Sequence, residues 1–438
     1  MKDTAKWIWF AEGCGTASNE MLRVLEKFGS VDEIYLANYD DFSYADISEH
    51  VSEKLSNKSL ENAYSILDLC ESLNIGIVTF ADDEYPKSLR SLTNPPAVLY
   101  YRGKLPSLNR RLCIAAVGTR NMSEYGMRAA YKIAYEVASS GAVIVSGMAL
   151  GIDSVAASAA IAAKGKTVAV LGCGVDVVYP AEHGKLYSAI CENGAVISEF
   201  PPLTPPRGFR FPIRNRIISG LSQGTVVIDA ALKSGSMITA KNAILQGRDL
   251  YAVPSNIDSE NSSGTNSLIR DGAQAVLCGR DIIKNYSYVF DGALNMDRLK
   301  DSEKRSEFDS SVLTSLGVRA SGDDVDRVVS SEKGRIKTGD GTMEKVKISK
   351  STSTPREDGG NVGTPAAAKD KGDSSRAALE SLSEKHRKIF EEIPLDRAIP
   401  TDYLVNSGFK LNEVIAALTV LEIKGLITSL PGGLYARK

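Results

Sequence analysis

Six short apolar runs alternate with helix-length amphipathic segments between residues 112 and 278. The runs are LCIAAVG, AVIVSG, TVAVLG, AVISEF, TVVIDA and LYAVP. Apolar strands that alternate with helices are typical of a parallel sheet covered by helices on both faces. We therefore predict an α/β fold built on an extended Rossmann-like, doubly wound parallel sheet.

Changes in composition along the chain predict four regions. Residues 1–76 contain short amphipathic segments and predict a small helical domain of the SAM or helix-hairpin-helix kind, and residues 77–290 contain the predicted sheet. Residues 291–378 are rich in Ser, Asp, Lys, Gly and Thr, which predicts a disordered linker. Residues 379–438 predict three helices and a short β-wing, which is the order of a winged helix.

The distribution of charge points to a polyanion partner for the middle of the chain. Residues 1–104 carry 10 Lys and Arg against 17 Asp and Glu, whereas residues 105–290 carry 18 against 13. A polyanion is expected to bind the basic region. The last helix of the predicted winged helix is not basic, which favours contact with protein or packing between domains over contact with DNA.

The sequence lacks the signals of several other protein classes. The apolar run WIWFA near the N-terminus is too short for a signal peptide, and no other run reaches membrane-spanning length, so we expect a cytoplasmic protein without membrane contact. Six cysteines without a CxxC pair, together with only three histidines, offer no zinc site and are interpreted as reduced thiols.

No cofactor or catalytic motif is complete, and we expect neither a cofactor nor a metal. GCGVDVV resembles a dinucleotide-binding loop but has Val177 in place of the third glycine. His183 is the only histidine of the predicted sheet region, and no GxSxG or HExxH motif is present. The sequence therefore favours binding over catalysis, so we expect no enzyme.

Anion-binding residue types gather at the predicted strand ends. The carboxyl ends of parallel strands and the N-termini of the following helices meet at one edge of a sheet. The sequence places a glycine and a basic residue after the first strand, basic residues at the start of the helix RFPIRNR, and KSGS at the start of a later helix. The candidate residues are Gly118, Thr119, Arg120, Arg214, Lys233, Ser234, Gly235 and Ser236.

Two questions stay open at this point. Arg214 and Arg216 are either ligand contacts or structural residues paired with Glu199 or Asp229. The same strand-end site is also compatible with an enzyme that hydrolyses a nucleotide, or with a scaffold for recombination proteins on which DNA contact is incidental.

Eight ordered motifs resemble the DNA-processing protein A family, also called DprA or Smf. They are VGTRNMSEYG, SGMALGID, AVLGCGVDVVYP, SEFPPLTPP, FPIRNRIISGLS, ALKSGSMITA, QGRDLYAVP and GTNSLIRDGA. The resemblance implies a bacterial protein of natural transformation and recombination that binds incoming single-stranded DNA, protects it and helps load the recombinase RecA.

The resemblance also implies roles for individual residues. Arg120 matches the phosphate-binding arginine of the family, with Thr119 in place of the usual serine, and Phe211 matches an aromatic residue that stacks on a base. Lys233 matches the basic residue before SGS. A homodimer formed through the sheet domain is implied as well, and we expect Leu268 and Ile269 to contribute to its interface unless both are ordinary core residues.

The sequence departs from the family pattern in places. Ala157 stands where many members have a histidine, and Pro254, Ser255 and Asn256 replace a PGS segment. The basic residue upstream of the FP motif is displaced, so we expect Arg207 and Arg210 to act as alternative phosphate contacts.

Overall fold

The computed structural model describes residues 2–319, residues 384–394 and parts of 399–437. The chain divides into two units, Met1–Gly339 and Asp340–Lys438. Each unit has a hydrophobic core of its own. None of the helices in these described parts is long and apolar enough to span a membrane.

A helical region precedes the sheet. Two of its helices have polar N-cap residues. The Ser30 side chain accepts a hydrogen bond from the Glu33 amide, and Asn38 forms a capping box with Asp41. The buried residues of this region belong to the same core as one face of the sheet. The helices are α1 (Lys2–Cys14), α2 (Glu20–Phe28), α3 (Val31–Leu36), α4 (Tyr39–Tyr44), α5 (Glu49–Ser56) and α6 (Glu61–Ser72).

The first unit is organised around a nine-stranded, mostly parallel sheet with the order β1-β2-β6-β5-β4-β3-β7-β8-β9. The run from β6 to β9 is parallel, and β2 pairs antiparallel with β1 and with β6. This confirms the predicted doubly wound, Rossmann-like sheet. The strands are β1 (Gly76–Thr79), β2 (Val98–Gly103), β3 (Cys113–Val117), β4 (Val143–Ser146), β5 (Lys166–Val170), β6 (Ala195–Ser198), β7 (Gly224–Val227), β8 (Asp249–Ala252) and β9 (Gln274–Ala275).

Alternate residues of each strand enter separate cores on the two faces of the sheet. In β3, Ile114 and Ala116 lie in the core shared with α8 and α9, whereas Cys113, Ala115 and Val117 lie in the core shared with α11 and α12. The helices of this part are α7 (Lys87–Arg90), α8 (Glu124–Ser139), α9 (Ile152–Ala162), α10 (Gly184–Asn193), α11 (Arg210–Leu221), α12 (Ser236–Leu245) and α13 (Ser263–Arg270).

Strand β3 is the switch point of the sheet. It lies between β4 and β7, so the chain extends the sheet first in one direction and then in the other. In open α/β sheets, ligands bind beyond the carboxyl ends of the strands at this point. The topology therefore places a candidate site beyond the ends of β3, β4 and β7.

The prediction of a disordered linker from residue 291 is wrong for residues 291–319. This stretch contains α15 (Met296–Glu303) and α16 (Ser310–Ser315), which follow α14 (Gly279–Ile283). Leu299 and Leu313 are fully buried in the first unit's core. A few apolar residues at suitable spacing are enough to fix the segment, although its average composition is polar. The rest of the predicted linker lies outside the described residues.

The second unit contains a small sheet and a helix. The helix is α17 (Glu384–Glu392), and the antiparallel strands β10 (Ile399–Pro400), β12 (Leu434–Arg437) and β11 (Ile427–Leu430) lie in that order in the sheet. Ile389, Leu404 and Leu418 are among its buried core residues.

Candidate nucleic-acid interface

A groove of about 720 Å³ lies at the carboxyl ends of β3, β4 and β7. We call it the strand-end groove. Nine of the eleven residues that the sequence proposes as DNA contacts line it, and Arg207 and Arg210 do not. The nine are Gly118, Thr119, Arg120, Phe211, Arg214, Lys233, Ser234, Gly235 and Ser236.

The turn after β3 is fixed by its backbone. The Thr119 amide donates to the Asp229 carbonyl oxygen over 2.6 Å, and the Thr119 carbonyl accepts from the Ile152 amide over 3.2 Å. A Cβ atom at Gly118 would lie 2.5 Å from the Ile152 side chain, so the glycine allows α9 to approach the turn. The turn holds Arg120 at the groove with its side chain exposed to solvent.

An aromatic pair lies next to Arg120. The guanidinium carbon of Arg120 is 5.4 Å from the centroid of the Phe211 ring, within the range of a cation–π contact. Phe211 stacks on Tyr179, with 5.3 Å between the ring centroids and 24° between the planes. The groove thus combines an exposed cation with two flat apolar faces.

Tyr179 is a groove residue that the sequence interpretation missed. Its side chain is 37% exposed and lines the groove. One indication of this role was present in the sequence: Tyr179 follows the apolar run of β5, so it lies at the same edge of the sheet as the other candidates. Only the fold shows that this loop reaches Phe211, which is distant in sequence.

Arg214, proposed as a ligand contact or as a structural residue, is buried. The residue is 4% exposed, and its Nη1 atom donates to the carbonyl oxygens of Gly147, over 3.0 Å, and of Val170. Burial lowers the pKa of Arg214 to about 10, and nearby Asp153 opposes that shift. Arg214 therefore lies in the floor of the groove and ties β4 to β5.

Arg216 pairs with Glu199, as the structural alternative proposed. Its Nη2 atom lies 2.6 Å from the Glu199 Oε1 atom, and both side chains are at least nine-tenths buried. Buried ion pairs of this kind mainly avoid leaving an unpaired charge inside the protein. Arg216 is therefore a structural residue of α11.

The N-terminus of α12 supplies the opposite wall. Lys233 is exposed, and the hydroxyl groups of Ser234 and Ser236 lie 2.8 Å apart. A ten-residue helix begins at Ser236 and directs its amide dipoles toward the groove. Helix N-termini favour anions because their first amide groups lack intrahelical acceptors.

Two buried carboxylates hold the backbone beside the groove in place through hydrogen bonds. Asp229 accepts hydrogen bonds from the Ser123 amide over 2.8 Å and from its hydroxyl over 2.9 Å, which holds the turn that carries Arg120. Asp153 accepts from the Gly147 amide over 3.0 Å. Burial raises the pKa of both carboxyl groups. Both are therefore used in positioning the backbone.

Arg207 and Arg210 diverge from the predicted role in different ways. Arg207 is exposed but is not among the residues that line the groove. The guanidinium carbon of Arg210 lies 5.1 Å from the Phe200 ring centroid and 5.4 Å from that of Phe209, facing a neighbouring cavity.

The two residues proposed for a dimer interface pack inward. Leu268 is 9% exposed and belongs to a core cluster of the sheet, and Ile269 packs against the same cluster. This is the core alternative that the sequence left open. Burial of Leu268 in its own subunit means that it cannot supply the predicted exposed contact.

The described residues also bear on metals and thiols. Within the described parts of the chain, no group of His, Cys, Asp and Glu residues could hold a metal ion. All six cysteines are free thiols, four of them buried. His183 is buried, with its Nδ1 atom 3.0 Å from the Met148 carbonyl oxygen, and it does not line the groove.

The fold defines a Rossmann-like protein with a groove lined by basic and aromatic side chains at the switch point of its sheet. Residues 76–287 match the family model of the DNA recombination-mediator protein A, and residues 373–433 match the model of the DprA winged helix domain. The chain belongs to the DprA/Smf family of DNA-processing proteins. Its C-terminal region is therefore a winged helix domain.

Individual relatives support this membership. The chain is 35% identical to the DNA processing protein DprA of Streptococcus pneumoniae over 66% of this chain and all of that protein. It is also 35% identical to the protein Smf of Escherichia coli, over 66% of this chain and 76% of that protein. The X-ray structure of DNA processing protein A from Streptococcus pneumoniae superimposes with a TM-score of 0.58 at 33% identity, over 65% of this chain and 98% of that one.

Proposed function

We propose that this chain binds single-stranded DNA in the strand-end groove without reading its sequence. The observation that carries the proposal is the close grouping of Arg120, Phe211 and Tyr179 opposite Lys233 and the start of α12. Proteins that bind single strands in this way combine a cationic path for the phosphates with aromatic faces for the bases. Both components line one groove here.

In this proposal each part of the groove has a defined task. Arg120 and Lys233 contact phosphates, because both are basic side chains exposed at the groove. The positive end of the α12 dipole attracts phosphate, and the hydroxyls of Ser234 and Ser236 donate further hydrogen bonds to phosphate oxygens. Tyr179 and Phe211 provide the stacking surface, and Arg214 adds positive charge from beneath.

The proposed cellular role follows the family. The protein would protect incoming single strands during natural transformation and help load the recombinase RecA onto them, in the cytoplasm and as a homodimer. Membership of a family described as recombination mediators supports the role in recombination. Since Leu268 is buried, a dimer would have to use other residues of the sheet domain.

The proposed role is binding rather than catalysis. The buried carboxylates of the groove are engaged with backbone amides, and His183 lies outside it. These positions favour a binding surface over a nucleotide-hydrolysing site. Release of product from AMP by the purified protein, lost on substitution of Asp153, would instead support the enzymatic alternative.

The direct test compares single-stranded and duplex DNA of the same sequence. Fluorescence anisotropy on the full chain should give tighter binding of the single strand, because duplex bases cannot reach the stacking faces. Lys233→Ala should weaken single-strand binding by about 10- to 150-fold, the value of one charge-assisted contact of about 1.5–3 kcal/mol. Lys241→Ala, which changes an exposed lysine within α12 that does not line the groove, serves as the control. Equal loss in both variants, or preference for duplex, would contradict the proposal.

A further inference from the structure

An exposed aromatic residue lies beside the strand-end groove without lining it. Phe209 is 59% exposed, although phenylalanine is among the residues most often buried. In sequence it stands between Gly208 and Phe211, which both line the groove, whereas Phe209 itself lines a neighbouring cavity of about 410 Å³. Phe209 therefore lies at the boundary between the groove and that cavity, with much of its ring in solvent.

Arg210 supports the Phe209 ring from one side. The guanidinium carbon of Arg210 lies 5.4 Å from the centroid of the Phe209 ring and 5.1 Å from that of the buried Phe200 ring. The same guanidinium donates to the Pro205 carbonyl oxygen. A buried ring and a backbone carbonyl therefore hold Arg210, and Arg210 in turn holds the exposed ring through a cation–π contact.

The backbone that carries Phe209 is anchored as well. The Gly174 amide, in the loop after β5, donates to the Thr204 carbonyl oxygen over 2.9 Å. The Arg210 amide donates to the Arg207 carbonyl oxygen over 3.0 Å, which closes the turn on which Phe209 stands. A ring that is already held in place loses little freedom when a ligand stacks on it, so this turn is suited to binding.

The charges around the ring indicate where a polyanion can pass. Arg207 is exposed on the turn and does not line the cavity, whereas the acidic side chain of Glu12 does line it. Phosphate is attracted to the arginine and repelled by the acidic residue. A strand that leaves the groove would therefore cross the opening of the cavity over Phe209 rather than enter the cavity.

We propose that the bound strand continues out of the strand-end groove and stacks a further base on Phe209, with a phosphate of the same stretch near Arg207. This inference rests on the proposed function, because the groove must first hold the strand. Surfaces that bind single strands stack successive bases on separate aromatic side chains. Here Tyr179 and Phe211 serve one base and Phe209 serves another, so the protein covers a longer strand than the groove alone.

Anisotropy titrations of the full chain with oligothymidylates of about 4 to about 16 nucleotides test the proposal. Phe209→Ala should leave the affinity for the shortest bound strands unchanged, because the groove holds these. It should weaken binding of the longest strands by about 5- to 150-fold, the value of one base–aromatic stack. Phe209→Leu, which keeps an apolar side chain against Arg210, should show the same loss. Tyr44→Ala, at an exposed tyrosine of α4 that lines neither the groove nor the cavity, is the control and should bind every length normally.

Phe209→Trp supplies a spectroscopic readout of the same contact. Trp7 and Trp9 are buried in the helical region, so a change of fluorescence on DNA binding reports on the introduced indole. This variant should bind long strands with the wild-type affinity, because it keeps an aromatic face. Long strands should quench the indole, and the shortest bound strands should not.

Three results would overturn the proposal. The first is wild-type affinity of Phe209→Ala at every length, and the second is an equal loss at every length, which would make Phe209 a support of the groove wall. The third is an indole fluorescence that no strand changes. None of these would affect the Lys233→Ala test of the groove, whereas a wild-type chain that binds no single strand of any length would overturn both proposals.

Discussion

The groove and the helical region each hold a cation against aromatic rings, but they use it differently. In the groove, Arg120 is exposed beside Phe211. In the helical region, the Lys58 ammonium lies 5.0 Å from the Trp9 ring centroid and 5.1 Å from that of Phe42, and it donates to the Ile34 carbonyl oxygen over 3.1 Å.

The two cations differ in whether a ligand can reach them. Lys58 is half-buried and satisfied within its own region, and burial lowers its pKa to about 8. Arg120 is exposed to solvent, and its aromatic partner Phe211 lines an open groove. The same pairing of cation and ring is therefore enclosed within the packing in one place and lines an open groove in the other. Exposure, rather than residue type, separates the two roles.

The largest expected effect concerns salt. Two to four cations at or near the groove, beginning with Arg120 and Lys233, should neutralise as many phosphates. With a slope of about −0.7 per phosphate on single strands, the logarithm of the affinity should fall by about 1.4–2.8 for each tenfold rise in salt. Thermal stability of the helical region should change far less over the same range. An affinity that does not change with salt would contradict the claim that the cations of the groove contact phosphates.

The stacking surface is expected to contribute next. Tyr179→Ala should weaken single-strand binding by about 5- to 150-fold, because one base–aromatic stack is worth about 1–3 kcal/mol. Tyr64→Ala, a substitution at a similarly exposed tyrosine of α6, should have no effect on affinity. Anisotropy titrations of both variants check this. Unchanged affinity in Tyr179→Ala would show that Tyr179 packs against Phe211 but does not stack on a base.

The smallest effect is a pH dependence in the helical region. The pKa of Lys58 is depressed in the folded protein, so between about pH 8 and its ordinary value of 10.5 the unfolded chain retains a proton that the folded chain has released. Stability should therefore rise with pH across this window. The Lys58→Met variant should lose this rise, which melting curves at several pH values can measure. A wild-type curve parallel to that of the variant would show that Lys58 does not titrate in this way.

The sequence predicted the sheet and the edge on which the groove lies, because alternating apolar runs and helices leave few topologies. The structure places Arg120, Lys233 and the start of α12 in this groove, and their contact with DNA stays a prediction. The sequence could not predict that Arg214 is buried while Lys233 is exposed, since burial depends on how α11 packs against β4 and β5.

Other differences have the same origin. Tyr179 contacts Phe211 because of the conformation of the loop after β5, which no local sequence pattern predicts. The helices α15 and α16 were missed because a few apolar residues, such as Leu299, anchor them within a polar segment. In each case long-range packing decided an outcome that local composition left undetermined.

The most direct measurement compares Arg120→Gln with Lys58→Gln in the full chain, by single-strand anisotropy and by thermal melting. Arg120→Gln should lower affinity by about 10- to 150-fold with an unchanged melting temperature, because the side chain is exposed and its contact is with the ligand. Lys58→Gln should change the melting temperature and leave the affinity unchanged, because the side chain of Lys58 is enclosed among the rings of the helical region. If Lys58→Gln weakened DNA binding while Arg120→Gln only reduced stability, the assignment of binding to the groove would be contradicted.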